Sequence, residues 1–153
     1  MELKQSQDIP MPVDQVWSAL NNDQILAQAI PGCQELTKIS NTELTAKVKL
    51  KIGPVSATFD GKVTLSELNP PHSYVISGSG KGGVAGSATG SARVDLEAID
   101  NGSATRLTYD VDAAVTGKIA QLGSRLIEST TKKLAKKFFT DFIAILSPET
   151  QQK

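Results

Sequence analysis

The chain has 153 residues, 39% of them apolar and 21% charged, and its 16 basic and 16 acidic side chains cancel. Such a composition suits one globular domain able to bury about 70% of its unfolded surface, and charge neutrality gives nucleic-acid binding no general support. The single cysteine, Cys33, and single histidine, His72, exclude an internal disulfide and any zinc or haem ligand spacing.

Met1–Ile9 alternates weakly and is predicted to be a strand, ended by Pro10 and Pro12. Val13–Leu20 places Val13, Val16, Trp17 and Leu20 on one face of a short helix, with Trp17 as a core anchor. Asn21-Asn22-Asp23 is a capping signal for a second short helix that stops at Pro31-Gly32. From Gln34 the period becomes two. Leu44, Ala46, Val48, Leu50 and Ile52 point one way and Thr45, Lys47, Lys49 and Lys51 the other, as in a half-buried strand. Gly53-Pro54 turns the chain, and Val55, Ala57, Phe59, Gly61, Val63 and Leu65 continue the inward row. Asn69-Pro70-Pro71-His72 is a second turn, and Tyr74–Gly80 and Val84–Leu96 are the next expected strands. Asp100-Asn101-Gly102 signals a hairpin before a last strand, Arg106–Val115, whose Leu107, Tyr109, Val111, Ala113 and Val115 face inward. Arg106, Asp110 and Asp112, opposite Arg93, Asp95 and Glu97, are expected to form cross-strand ion pairs.

The stretch Ile119–Leu146 changes period again. Ile119, Leu122, Leu126 or Ile127, Leu134, Phe138, Phe142 and Ile145 recur every three or four residues, which predicts one long amphipathic helix. Roughly 28 residues at about 1.5 Å each make a rod near 40 Å long, and its stripe needs a sheet to cover it. The fold class expected is therefore α+β: a curved antiparallel sheet of about seven strands around a long C-terminal helix, with two short helices after the first strand. Residues 1–147 form this one domain and 148–153 a polar tail. Residues 117–140 carry six basic side chains against Glu128 alone, so the helix is a cationic bar on an acidic body. With no signal-peptide core in MELKQSQDIP and no apolar run of about 18 residues, a cytoplasmic location is expected, with peripheral contact at most.

The run GSGKGGVAGSATGSA, Gly78 to Ala92, contains G-x-G-x-x-G but lacks the following helix that dinucleotide binding needs. Its message is steric. Gly78, Gly80, Gly86, Ala88, Gly90 and Ala92 lack bulk on the inward face. They either bend the sheet toward the helix or leave a ligand cavity, and both can hold together. Catalytic equipment is scarce: His72 sits in a turn, and the inward rows hold no pair of carboxylates for acid–base work. No metal ligand set is present. On the helix, Lys132 and Lys136 fall beside Phe139 and Ile143. That edge is either a solvated or packed face or a surface that rests on anionic lipid or docks a partner.

With these residues in view, the chain resembles the carbon monoxide dehydrogenase G-subunit family of the START-like, helix-grip superfamily. The likeness rests on Ile30-Pro31-Gly32-Cys33, KVKLKIGPVSATFDGKVTL, NPPHSY, the glycine-rich run, LTYDVDA and GKIAQLGSRLI, in that order. The resemblance implies a seven-stranded sheet around the last helix with an apolar cavity between them. It also implies a non-enzymatic accessory role beside a molybdenum-containing, carbon monoxide dehydrogenase-type enzyme, with recruitment to the membrane. A quinone-like or other lipid is then the hydrophobic cargo, and no cofactor is required.

The expected cavity lining is Leu122, Leu126 and Leu134 of the helix with Phe59, Val63, Ile76, Gly78, Ala88, Gly90, Tyr109 and Val111 of the sheet. Leu126→Trp or Gly90→Phe is expected to fill it, lowering ligand binding more than stability. A ligand-free docking module for the dehydrogenase is the alternative. An enzyme of the cyclase or dehydratase type, which the superfamily contains, is disfavoured by the lack of an inward histidine or acid. Longer family members continue into a membrane-associating extension. This sequence stops at SPETQQK, so membrane contact is expected to depend on Phe139 and Ile143.

Overall fold

The structure, a computed structural model, describes residues 1–147; the expected polar tail, 148–153, lies outside them. Strand β1 (Glu2–Ile9) leads into helices α1 (Val13–Leu20) and α2 (Asp23–Ala29). Strands β2 (Cys33–Lys38), β3 (Glu43–Ile52), β4 (Val55–Asn69), β5 (Ser73–Lys81), β6 (Ser87–Ile99) and β7 (Ala104–Thr116) follow, and helix α3 (Ser124–Leu146) closes the described chain. All strand pairs are antiparallel, in the order β1-β7-β6-β5-β4-β3-β2. This is the expected helix-grip α+β architecture: hairpins build β2 to β7, and β1 returns to the far edge beside β7.

Local chemistry explains the breaks. The Asn22 side chain accepts from the backbone N–H groups of Gln24 (2.9 Å) and Ile25 (3.2 Å), satisfying two donors at the start of α2. Where β1 enters α1, the fully buried Thr105 hydroxyl donates to the Met11 carbonyl at 2.7 Å and ties that corner to β7.

Registers convert the alternating sequence into inner rows. Tyr74, Val94 and Tyr109 form one cross-strand row, Leu65, Ile76, Ala92 and Val111 the next, and Val63, Gly78, Gly90 and Ala113 a third. The inner face is thus bulky toward the β4–β5 turn and small in its middle. Two core clusters result. The larger contains Ile9, Val16, Leu20, Tyr74, Val94, Leu107, Phe139, Phe142 and Leu146. The smaller, at the opposite end of the sheet, contains Ile52, Phe59, Ala85 and Ile119.

Three expectations change. The last helix begins at Ser124, because Gly123 at φ 93° stands outside the helical region and separates α3 from a short 3₁₀ turn, Ala120–Leu122. Ile119, 1% exposed, donates its N–H to the Ala85 carbonyl at 3.0 Å and belongs to the smaller cluster, not to the helical stripe. Strand β6 starts at Ser87 after a 3₁₀ turn, Gly83–Ala85, which leaves Val84 85% exposed. The ion pairs also differ. Arg106 reaches Asp8 on β1 at 2.9 Å, and Arg93 pairs with Asp95 on its own strand at 3.3 Å.

Candidate ligand-binding site

Helix α3 crosses the inner face of the sheet obliquely. Near its start, Leu126 Cδ2 lies 2.8 Å from where a Gly53 β-carbon would stand, against the β3–β4 turn. Thirteen residues on, or about 20 Å along the axis, Phe139 stacks on Tyr109 of β7, with ring centroids 5.6 Å apart. Between these anchors the helix presents Thr131 and Ala135 to the sheet. Their small side chains leave the space beneath α3 unfilled, and a cavity of about 360 Å³ lies there.

Its floor comprises Leu44, Val63, Leu65, Tyr74, Ile76, Ala92, Val94, Leu107, Tyr109 and Val111; its roof comprises Thr131, Ala135, Phe138 and Phe139. Leu20, Leu26, Ile30 and Leu36 close one flank, and Asn21, Lys38 and Asn41 supply its polar side chains. Among the described residues, no carboxylate or histidine lines it. Three of the polar side chains that do line it are committed. The Tyr109 hydroxyl donates to Gln5 Oε1 at 2.8 Å, the Thr131 hydroxyl to the Ile127 carbonyl at 2.8 Å, and Asn21 Nδ2 to the Trp17 carbonyl at 2.9 Å. Burial pushes the phenols of both Tyr74 and Tyr109 above the ordinary tyrosine value, because the anion is poorly solvated there.

Of the residues expected to line a cavity, Val63, Ile76, Tyr109 and Val111 meet in this one. Gly78, Ala88 and Gly90 line an adjoining shallow hollow of about 290 Å³, which shares Ile76, Ala92 and Val111 with it. Phe59 and Leu122 do not come to the cavity: both pack in the smaller core cluster, toward the start of the helix. Leu126 faces the β3–β4 turn, and Leu134 is half-buried without reaching the cavity wall. Gly90 answers the question the small residues raised. A β-carbon there would lie 2.9 Å from the Asp112 carbonyl oxygen and 3.1 Å from Ala113 Cβ. Close strand approach therefore demands glycine at 90, while Gly78, whose β-carbon would meet only ordinary contacts, leaves room above it.

The expected membrane or partner edge is also redrawn. Phe139 is 8% exposed and roofs the cavity, and Ile143 packs on the larger core. The reason is angular. At about 100° per residue, Phe139 falls about 60° from Phe142, and α3, flanked by α2 as well as the sheet, buries an arc wide enough to include it. Of the four residues expected on that edge, the two lysines face outward: Lys132 and Lys136 are exposed, and Lys132 pairs with Glu128 at 3.3 Å. Reading apolar residues alone misses Thr131 and Ala135, the positions whose small size makes the cavity. Tyr74 enters the alternating pattern only as the start of a strand.

Among the described residues no group of three potential metal-ligating side chains comes together, and no helix is long and apolar enough to cross a membrane. No protein of curated function matches the chain. Among solved structures, a conserved protein from Geobacillus kaustophilus is similar at 29% identity over 94% of this chain and 93% of that one, with a TM-score of 0.88. A START superfamily protein from Mycobacterium smegmatis is similar at 15% identity over 95% of this chain and 99% of that one, with a TM-score of 0.66. The Zhui aromatase/cyclase from Streptomyces sp. R1128 is similar at 11% identity over 94% and 92%, with a TM-score of 0.68. At such identities the last two share the fold alone. The family model of the carbon monoxide dehydrogenase G subunit (CoxG) matches residues 6–147, and the chain belongs to that family.

Proposed function

We propose that the protein is a non-enzymatic binding protein that holds a hydrophobic ligand, a quinone-like or other lipid, between α3 and the sheet. The observation that carries this reading is the cavity itself. About 360 Å³ of space bounded almost wholly by aliphatic and aromatic side chains falls in the size range of small-molecule sites, roughly 300–1,000 Å³. Apolar surface of that extent left facing water is unfavourable, and an apolar occupant covers it. The wall fits an isoprenoid chain or a quinone ring, with Phe138 and Phe139 offering aromatic faces.

The family name supports a setting beside a carbon monoxide dehydrogenase-type enzyme. In this reading the protein serves that molybdenum-containing enzyme at the inner membrane surface, on which the outward lysines of α3 rest. The test is organic extraction of the purified protein, followed by native and lipid mass spectrometry. A stoichiometric quinone or lipid is the expected result. An extract without one, together with no mass shift on adding quinone analogues, would leave a docking module with no cargo.

A further inference from the structure

Tyr74 stands apart from the other polar groups on the cavity wall, of which Lys38 and Asn41 are exposed to solvent. It is 4% exposed, its ring meets Trp17 edge-on with centroids 5.2 Å apart, and it lies on the inner face of β5. Tyr109, Thr131 and Asn21 each give a donor to a protein acceptor. The Tyr74 hydroxyl has no hydrogen-bond partner among the described residues. Every fully enclosed side-chain nitrogen or oxygen among those residues does have one, so the Tyr74 oxygen is not enclosed by protein. Tyr74 itself lines the cavity.

A largely buried phenol with no protein partner is unfavourable unless something else supplies one. Phenylalanine would fill the same volume without that penalty. We propose that Tyr74 is the polar anchor of the cavity, and that the occupant is an apolar molecule bearing an oxygen acceptor to which the Tyr74 hydroxyl donates. The inference rests on the ligand-binding reading above and narrows it: a hydrocarbon lacking oxygen is the wrong ligand, and a carbonyl-bearing ring or chain is the right one. It also makes Tyr74, not the lysines at the surface, the residue that discriminates between ligands of similar shape.

The test uses two probes of one skeleton, 2-methyl-1,4-naphthoquinone and 2-methylnaphthalene, titrated against the full chain and its Tyr74→Phe variant. The wild type is expected to bind both and to favour the quinone. Tyr74→Phe is expected to weaken quinone binding roughly three- to tenfold, the worth of one neutral hydrogen bond, and to leave the hydrocarbon's affinity as it was. Equal loss for both probes, or no loss for either, overturns the anchor while the cavity reading stands. Binding of neither probe by the wild type overturns the cavity reading as well. Thermal unfolding of the ligand-free proteins supplies the control for folding. Tyr74→Phe is expected to melt at or above the wild-type temperature, and a clear fall would mean that the hydroxyl already has a protein partner.

Discussion

Tyr109 of β7 and Phe139 of α3 lie nearly face to face, 5.6 Å between ring centroids with planes 28° apart, and this stack pins the helix to the sheet at one end of the cavity. Phe139 also meets Phe138 edge-on at 5.1 Å, and Phe138 stacks on Phe142 at 5.5 Å, so one aromatic chain runs from the sheet through the helix. Phe139→Ala is therefore expected to destabilise the protein by about 3 kcal/mol, the lower end for a buried phenylalanine because one side already borders open space. Urea denaturation measures it. Wild-type stability combined with lost vesicle binding would restore the surface role that the helical wheel suggested.

Filling the cavity should be possible without collision at Ala135, which faces the floor from the roof. Ala135→Phe is expected to reduce ligand binding at least tenfold while the melting temperature holds or rises, since the new ring gains contacts in unfilled space. Gly90 behaves differently. Even Gly90→Ala would press a β-carbon against the Asp112 carbonyl oxygen, 2.9 Å away, and is expected to cost about 1–3 kcal/mol. Parallel titration and thermal unfolding of the two variants separate a ligand space from a strand contact. If Ala135→Phe binds ligand as the wild type does, the space under α3 is not the site.

These two positions also show how far sequence reasoning reaches. Within the strands a period of two finds the inner face, because strand geometry leaves only two faces: Val63, Ile76, Tyr109 and Val111 line the cavity, whereas Gly86, expected inward, lies in the turn before β6. The helix is harder, since its buried arc depends on what flanks it, and nothing local says that Tyr109 of β7 will stack on Phe139. The cavity itself is an absence of bulk. Thr131 and Ala135 create it by being small on a face that apolar counting skips, and Gly90 resembles a cavity residue when its cause is a neighbouring strand's carbonyl. Gly123 is similar: a lone glycine between apolar residues of helical spacing carries no mark of its φ of 93°.

The outward face of α3 carries the proposed membrane contact. Lys132 and Lys137 make i,i+4 pairs with Glu128 (3.3 Å) and Asp141 (2.9 Å), and such exposed pairs contribute only about 0.3–0.5 kcal/mol each. Reversing Lys132 and Lys136 together to glutamate is thus expected to change stability by less than about 1 kcal/mol. It should abolish co-sedimentation with phosphatidylglycerol-containing vesicles at low salt, where surface charge is least screened. Unchanged co-sedimentation would make this a solvated face and move membrane contact elsewhere.

Tyr74 predicts an alkaline signature independent of any ligand. Burial raises its phenol above the ordinary 10.0, because the interior solvates the phenolate poorly. Below about pH 10 both folded and unfolded chains keep the proton, and the contribution to stability is fully present. As pH rises past the unfolded value, the unfolded chain loses a proton that the fold retains, so stability falls, by up to about 1.4 kcal/mol per pH unit from this group. Phenylalanine at 74 has no proton to lose. Urea midpoints taken at about pH 9 and about pH 11 should therefore fall less for Tyr74→Phe than for the wild type, with the Tyr109 phenol present in both proteins. Parallel falls would mean that the Tyr74 hydroxyl opens to bulk water, and the polar anchor proposed for the cavity would lose its basis.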